Sequence, residues 1–341
     1  MRRVRRSPFL RVSLRSSIRR WQSRRWMKVF RRGSSCSPLF GGISCDLQLS
    51  KGAGARSTSV HLVVDQQVTT LPPELFEADF TLELTLAYLP VVEIPSALGA
   101  MVQLQKLQIV RLSEVTRVPA EIGALGKLEW LDINGTQIRS LPDEIGNLAE
   151  LKTLSLRNNK LVSLPDSIGE LAKLQSLSVQ QNRLGGLPES IAVLKTLRRL
   201  DVSDNLLEGV PKGVWDLEAL ESLNLEGNAL DGGLAGLERL AELRVLNLSH
   251  TGLKALPNEV LALDALEVLL LDGNQLVELP PQLARLEKLT VVSVRENQLH
   301  GVPVELCTRK GLEMRVDGNG QLKAEQLAAC QSVESTQGSI Q

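Results

Sequence analysis

Residues able to do chemistry are few in this 341-residue chain, and they are scattered. The histidines are His61, His250 and His300; the cysteines are Cys36, Cys45, Cys307 and Cys330. A zinc site needs such ligands in close pairs, but no CxxC occurs and no histidine completes a common zinc spacing. The sequence has no P-loop, no HExxH and no GxSxG. Gly52-Ala-Gly54 lacks the third glycine and the strand–helix setting of a dinucleotide fingerprint. His250 has no acid fixed beside it by the sequence. No catalytic residue, metal ligand or cofactor is therefore expected. The chemistry that remains is recognition, through carboxylates, a few aromatics and patches of valine. The cysteines also lack the terminal clusters that staple many secreted repeat proteins, which favours a reducing compartment.

The formal net charge of +0 hides a split. Residues 1–45 hold 13 of the 39 Lys+Arg and no acid; the rest has 26 basic against 39 acidic residues, a net of −13. A basic leader thus precedes an acidic body. On a helical wheel Leu10, Leu14, Ile18 and Trp21 fall on one side of the leader, with Arg11, Arg15, Arg19 and Arg20 on the other. Residues 1–35 resemble a mitochondrial presequence, which is amphipathic, rich in Arg and Ser and poor in acids. The resemblance implies a mitochondrial address and cleavage near residues 32–35. The alternatives are a chloroplast transit peptide, a cytoplasmic protein starting at Met27, or a basic arm for a membrane surface or nucleic acid. No run of 18 apolar residues exists, so no membrane span is expected. Residues 36–57 are rich in Gly and Ser and read as a linker, and residues 331–341 read as a disordered tail.

The body repeats itself. Units of the form LxxLxLxxNxLxxLPxxIgxLxx start at Leu128, Leu151, Leu174, Leu197, Leu220, Leu243, Leu266 and Leu289, each 23 residues apart. Leu104 opens a unit one residue longer, and Thr81 opens a weaker one. Residues 60–75 read as a degenerate first unit, and the run after Leu312 as a shortened last one. The repeat domain spans 58–330, with residues 321–330 read as a short amphipathic capping helix.

The spacing has a physical reason. Two alternating leucines, such as Leu154 and Leu156, make a short strand with both side chains inward. Leu161, Leu164, Ile168 and Leu171 fill the same core from the turn and the outer side. One unit cannot bury this face alone; stacked units can. The turn after each strand buries backbone N–H and C=O groups that need partners. Asparagine both donates and accepts, so a ladder of Asn159, Asn182, Asn205, Asn228, Asn274, Asn297 and Asn319 can serve them. Thr136 and Thr251 replace part of it. Leu89 and Leu112 cannot, so the first two full coils should be looser or differently bonded. In LPDEIGNL, Pro142 fits the first position of a helical turn, and Asp143 and Glu144 suit its N-terminus.

These units resemble leucine-rich repeats. LVSLPDSIGELAKL resembles the Ras-group type, which includes plant intracellular Ras-group-related proteins. The resemblance implies an α/β solenoid: a leucine-rich-repeat horseshoe with a parallel β-sheet on the concave face and short helical or 3-10 turns on the convex face. It also implies a non-enzymatic scaffold for protein partners, with a cytosolic regulator of a small GTPase or phosphatase as the alternative. The repeat at 220–242 departs from the pattern, because Gly233-Leu234 stands where Leu-Pro belongs. It reads either as a drifted repeat or as a local change of curvature.

Outward strand residues should form four columns on the concave face. Trp130 lies beside Asp132, with Tyr88 two coils away, and Arg157 stands in the third column. Asp201, Asp204, Glu226 and Asp272 make an acidic strip suited to a basic protein surface. Val245, Val268, Leu270 and Val291 make an apolar patch. Nucleic acid is not expected, since phosphate contacts need clustered Lys and Arg.

Overall fold

The computed structural model describes residues 82–230 and 234–323, the isolated residues 70–71 and 76, and the backbone of 43–52 and 55–64. The leader, the tail and most of the expected capping helix lie outside the described residues. Among the described residues thirteen strands run in chain order through one sheet. They are β1 Ile43–Gly52, β2 Ala55–Val64, β3 Glu83–Ala87, β4 Lys106–Val110, β5 Trp130–Asn134, β6 Thr153–Ser155 and β7 Ser176–Ser178. Then come β8 Arg199–Asp201, β9 Ser222–Asn224, β10 Val245–Asn247, β11 Val268–Leu270, β12 Val291–Ser293 and β13 Glu313–Arg315. From β2 onward each strand pairs in parallel with the next, so the α/β solenoid is a leucine-rich-repeat stack.

The sheet begins earlier than the repeats suggest. β1 and β2 form an antiparallel hairpin from Ile43↔Val64 to Gly52↔Ala55. The segment 36–57, read as a linker, therefore holds one whole strand and the start of another. ISCDLQL alternates apolar and polar residues with period two, a pattern the Gly/Ser content obscures. The degenerate unit at 60–75 supplies β2, which pairs with β3 from Ser59↔Glu83 to Val63↔Ala87.

Leucine positions fill a continuous core. In one coil Leu151, Leu154, Leu156, Leu161, Leu164, Ile168 and Leu171 are all buried. Each such side chain contributes about 2 kcal/mol relative to exposure. On the convex side most coils make a five-residue 3-10 helix, such as Asp143–Asn147. Pro142 sits one residue before that turn, extended at φ −72° and ψ 152°, rather than inside it. Its carbonyl accepts the Ile145 N–H at 3.1 Å. The last convex turn is a short α-helix, α1 Val304–Cys307. Cys307 is disulfide-bonded, its partner lying outside the described residues.

The glycine after each isoleucine is set by the next coil. A Cβ on Gly169 would lie 2.6 Å from the Ser190 carbonyl oxygen. Ala192 takes the glycine's place one coil on, and there Gly213 gives way instead, with a Cβ position 3.1 Å from that of Ala192. One coil further the same position holds Trp215, buried at 2% exposure. Gly236 then packs flat on its ring: φ is +107°, and a Cβ would lie 2.4 Å from Trp215 Cδ1. The irregular repeat is thus an accommodation of Trp215. Its outer turn shrinks to Leu237–Arg239.

The asparagine ladder forms. Asn182 Nδ2 donates to the carbonyls of Leu156 (2.9 Å), Val179 (2.8 Å) and Gln180 (3.2 Å), while its Oδ1 accepts from Leu161 N–H (3.0 Å). Thr251 keeps part of the role, its hydroxyl donating to Leu248 O at 2.6 Å. Leu89 and Leu112 are buried in the same place without polar atoms, and those coils are bonded differently. Their strands and β5 run five residues, staying paired through Val110↔Asn134. From Asn159 onward, ladder amides occupy the carbonyls that further pairing would use, Ile133 O first at 2.8 Å. Strands β6 to β13 are three residues long.

Candidate functional site on the concave face

The register places the columns as the repeat period predicts. Glu83, Lys106, Trp130, Thr153, Ser176, Arg199, Ser222, Val245, Val268 and Val291 stand side by side. Val245, Val268 and Val291 are half-buried neighbours, with Leu270 between Asn247 and Ser293 in the next column. The apolar patch is therefore contiguous.

The fourth column is an edge of left-handed residues. Tyr88, Arg111, Gly135, Asn158, Gln181, Asp204, Gly227, His250, Gly273, Glu296 and Gly318 have φ from 52° to 77°. Their N–H groups point to the next coil's third-column carbonyl, as Asp204 N–H does to Glu226 O at 2.8 Å. Glycine, asparagine and aspartate enter this region at low cost; tyrosine, arginine and glutamate do so under constraint from the coil stack. Tyr88 is 59% exposed there, and Arg111 lies over its ring at 5.6 Å. Tyr88 and Trp130 occupy different columns two coils apart, so the structure does not join them into one aromatic site.

Trp130 is 41% exposed and carries Lys106 Nζ over its ring at 5.2 Å. It both packs on its own face and presents indole surface to solvent. Lys106 was not singled out in the sequence, although its position one coil before Trp130 in the same column was the available signal.

The acids divide into two kinds. Asp201 Oδ1 accepts from Ser203 N–H (3.1 Å) and Ser203 Oγ (2.6 Å). Glu226 accepts from Asn247 Nδ2 at 2.9 Å, and Asp272 from Ser293 Oγ (2.6 Å) and Arg295 N–H (2.7 Å). Where strands stop at three residues, Asp201 and Asp272 cap backbone N–H groups left without a strand partner, as Asn224 does for Glu226 N–H. Asp201 and Asp272 are thus partly structural. Asp132 differs: it is 9% exposed, and its Oδ1 is buried with no hydrogen-bond partner. Such an oxygen costs on the order of 1–3 kcal/mol. Ser178 Oγ, two strands on in the same column, also has none. Between them Ser155 Oγ accepts from Arg157 Nε at 3.3 Å. Ser178 was missed in the sequence because a serine gives no sign of whether its hydroxyl is satisfied.

Family descriptions for leucine-rich repeats match part of the chain, a leucine-rich repeat region over residues 143–231 and a single repeat over 127–148. With the stacked coils above, these matches define a leucine-rich-repeat fold. A search of curated protein sequences found no match. Among solved structures, a leucine-rich-repeat protein of Leptospira interrogans is 26% identical, with TM-score 0.66 over 78% of this chain and 80% of that one. The ectodomain of the receptor kinase GASSHO1/SCHENGEN3 from Arabidopsis thaliana, solved with Casparian strip integrity factor 2, is 28% identical, with TM-score 0.61 over 76% of this chain and 36% of that one. The plant peptide hormone receptor RGFR1, solved with RGF2, is 25% identical, with TM-score 0.55 over 72% and 45%. This chain spans less than half the length of either receptor chain. Among the described residues no helix is long and apolar enough to cross a membrane, and no cluster of metal-binding side chains occurs.

Proposed function

We propose that this chain is a non-enzymatic scaffold that binds a protein partner across its concave face, and that it does so in an organelle. One observation carries the binding reading: exposed Trp130, the unpaired carboxylate of Asp132 and the valine patch share one continuous, registered surface. An aromatic anchor beside a polar group and a separate apolar patch suit a polypeptide laid across several coils. The solved relatives with peptide ligands support this reading by analogy. The organellar address rests on residues 1–35, whose composition suits a mitochondrial leader.

The test is native purification through a C-terminal tag, with mass spectrometry of the bait's N-terminus and of what co-purifies. The scaffold reading expects one partner that Trp130→Ala with Val268→Asp releases and that the convex change Val193→Asp retains. A chain beginning between residues 33 and 46 supports the leader. An intact Met1 or Met27 together with a GTP-dependent partner would replace it with the cytosolic Ras-group reading.

A further inference from the structure

We propose that Asp132 and Trp130 form a subsite for one cationic side chain, lysine or arginine, of the bound polypeptide. This rests on the concave-face reading above and names the chemistry the face selects.

Asp132 is the buried acid of this face whose Oδ1 has no donor among the described residues. Asp201, Glu226 and Asp272 each commit an oxygen to neighbouring hydroxyl, amide or backbone donors. Asp132 has no such duty, because β5 continues to Asn134 and stays paired there with Val110. No freed N–H stands two residues on for it to cap. The side chain is held nine-tenths buried, its Oδ1 without a donor. The nearby cations are engaged elsewhere: Lys106 lies over the Trp130 ring and Arg157 donates to Ser155. Asp132 makes no ion pair among the described residues.

An incoming ammonium or guanidinium matches these vacant acceptors. It brings several N–H donors and a charge opposite to the carboxylate, where a neutral amide brings two donors and no charge. The indole beside the carboxylate offers a cation a second favourable contact, with the incoming group taking the place of Lys106. An anionic group would meet Asp132 as a like charge.

The direct experiment follows the Trp130 indole N–H by NMR, assigned with Trp130→Phe, while N-acetyl-arginine amide is added to the full chain. The expected result is a saturating shift at Trp130, none at Trp215, and none with N-acetyl-glutamine amide. Asp132→Asn, its fold checked by circular dichroism, should weaken the arginine response about ten- to a hundred-fold, the range for losing a charged hydrogen bond. An equal response in Asp132→Asn, or no response in the unmodified chain, overturns the proposal. A second experiment selects binders from a random peptide library. Lysine or arginine should recur at one fixed position and disappear with Asp132→Asn. Binders without that basic position overturn the subsite and leave the scaffold standing. A library with no binder counts against the scaffold, and the titration still decides the subsite.

Discussion

The coils of β3 to β5 and those from β6 onward close the same turn in two ways. The early coils carry Leu89, Leu112 and Thr136 at the ladder position and keep five-residue strands. The later coils mostly carry asparagine, whose amides take the carbonyls, and strands stop at three residues. The difference reaches the surface. Shortened strands free N–H groups, and outward acids such as Asp201 turn back to cap them. Extended strands free none, so Asp132 has nothing to cap. A residue type buried behind the sheet therefore decides where outward acids such as Asp201 and Asp272 are drawn into capping.

The comparison can be broken in measurable ways. The largest effect belongs to Trp215, on which the irregular coil is built. Trp215→Ala should cost about 3–5 kcal/mol in denaturant unfolding, as buried tryptophans do. Trp130→Ala, on the exposed face, should cost less than about 1 kcal/mol. Similar losses for the two would contradict the division of roles between the buried and the concave tryptophan. Asn205→Ala removes the acceptor for Leu184 N–H and the donor to three carbonyls. Its expected cost is on the order of 3 kcal/mol by the same unfolding assay. A loss below the scatter of that assay would mean the ladder does not hold the later coils together.

Gly236→Ala puts a methyl group 2.4 Å from Trp215 Cδ1 at φ +107°. It should destabilise by about 1–3 kcal/mol. Much of that penalty should vanish in a Trp215→Ala background, a coupling that a double-mutant cycle reads. Asp132→Asn should leave stability unchanged or raise it by up to about 1 kcal/mol, since an unpaired buried charge is relieved. A clear loss would show that Asp132 has a structural partner after all. The smallest effect is electrostatic. Glu150 is held below its usual carboxyl range by the hydrogen bond and charge of Lys173, with a smaller contribution from Lys152. A depressed carboxyl contributes stability above its unfolded pKa and loses it as pH falls through the folded pKa. Glu150→Gln should therefore matter slightly at neutral pH and not at all in acid. A difference that persists in acid would assign the effect to packing.

Much of this was legible in the sequence because the repeat period is itself a structural coordinate. A spacing of 23 residues fixed which side chains stand beside one another, and Trp130, Asp132 and the valines fall where the columns put them. The ladder was legible because asparagine is the residue that both donates and accepts in a buried turn. Three things were hidden. The β1–β2 hairpin lies in a segment whose glycines and serines mask its alternation. Trp215 looks like any apolar residue until its neighbour's glycine is seen against its ring. The hydrogen-bond state of an acid depends on strand length, so Asp132 and Asp201 are equivalent in sequence and different in space.

The central claim is that recognition occurs on the concave face. Its most direct test places a photo-cross-linking amino acid at Ser176, in the middle of the concave sheet, or at Val193, 59% exposed on the convex turn. Each chain is expressed in its native cells and irradiated. Cross-links from Ser176 to one recurrent polypeptide, lost when Trp130→Ala and Val268→Asp are added, are the predicted result. The same polypeptide captured at Val193 and not at Ser176 would contradict the account.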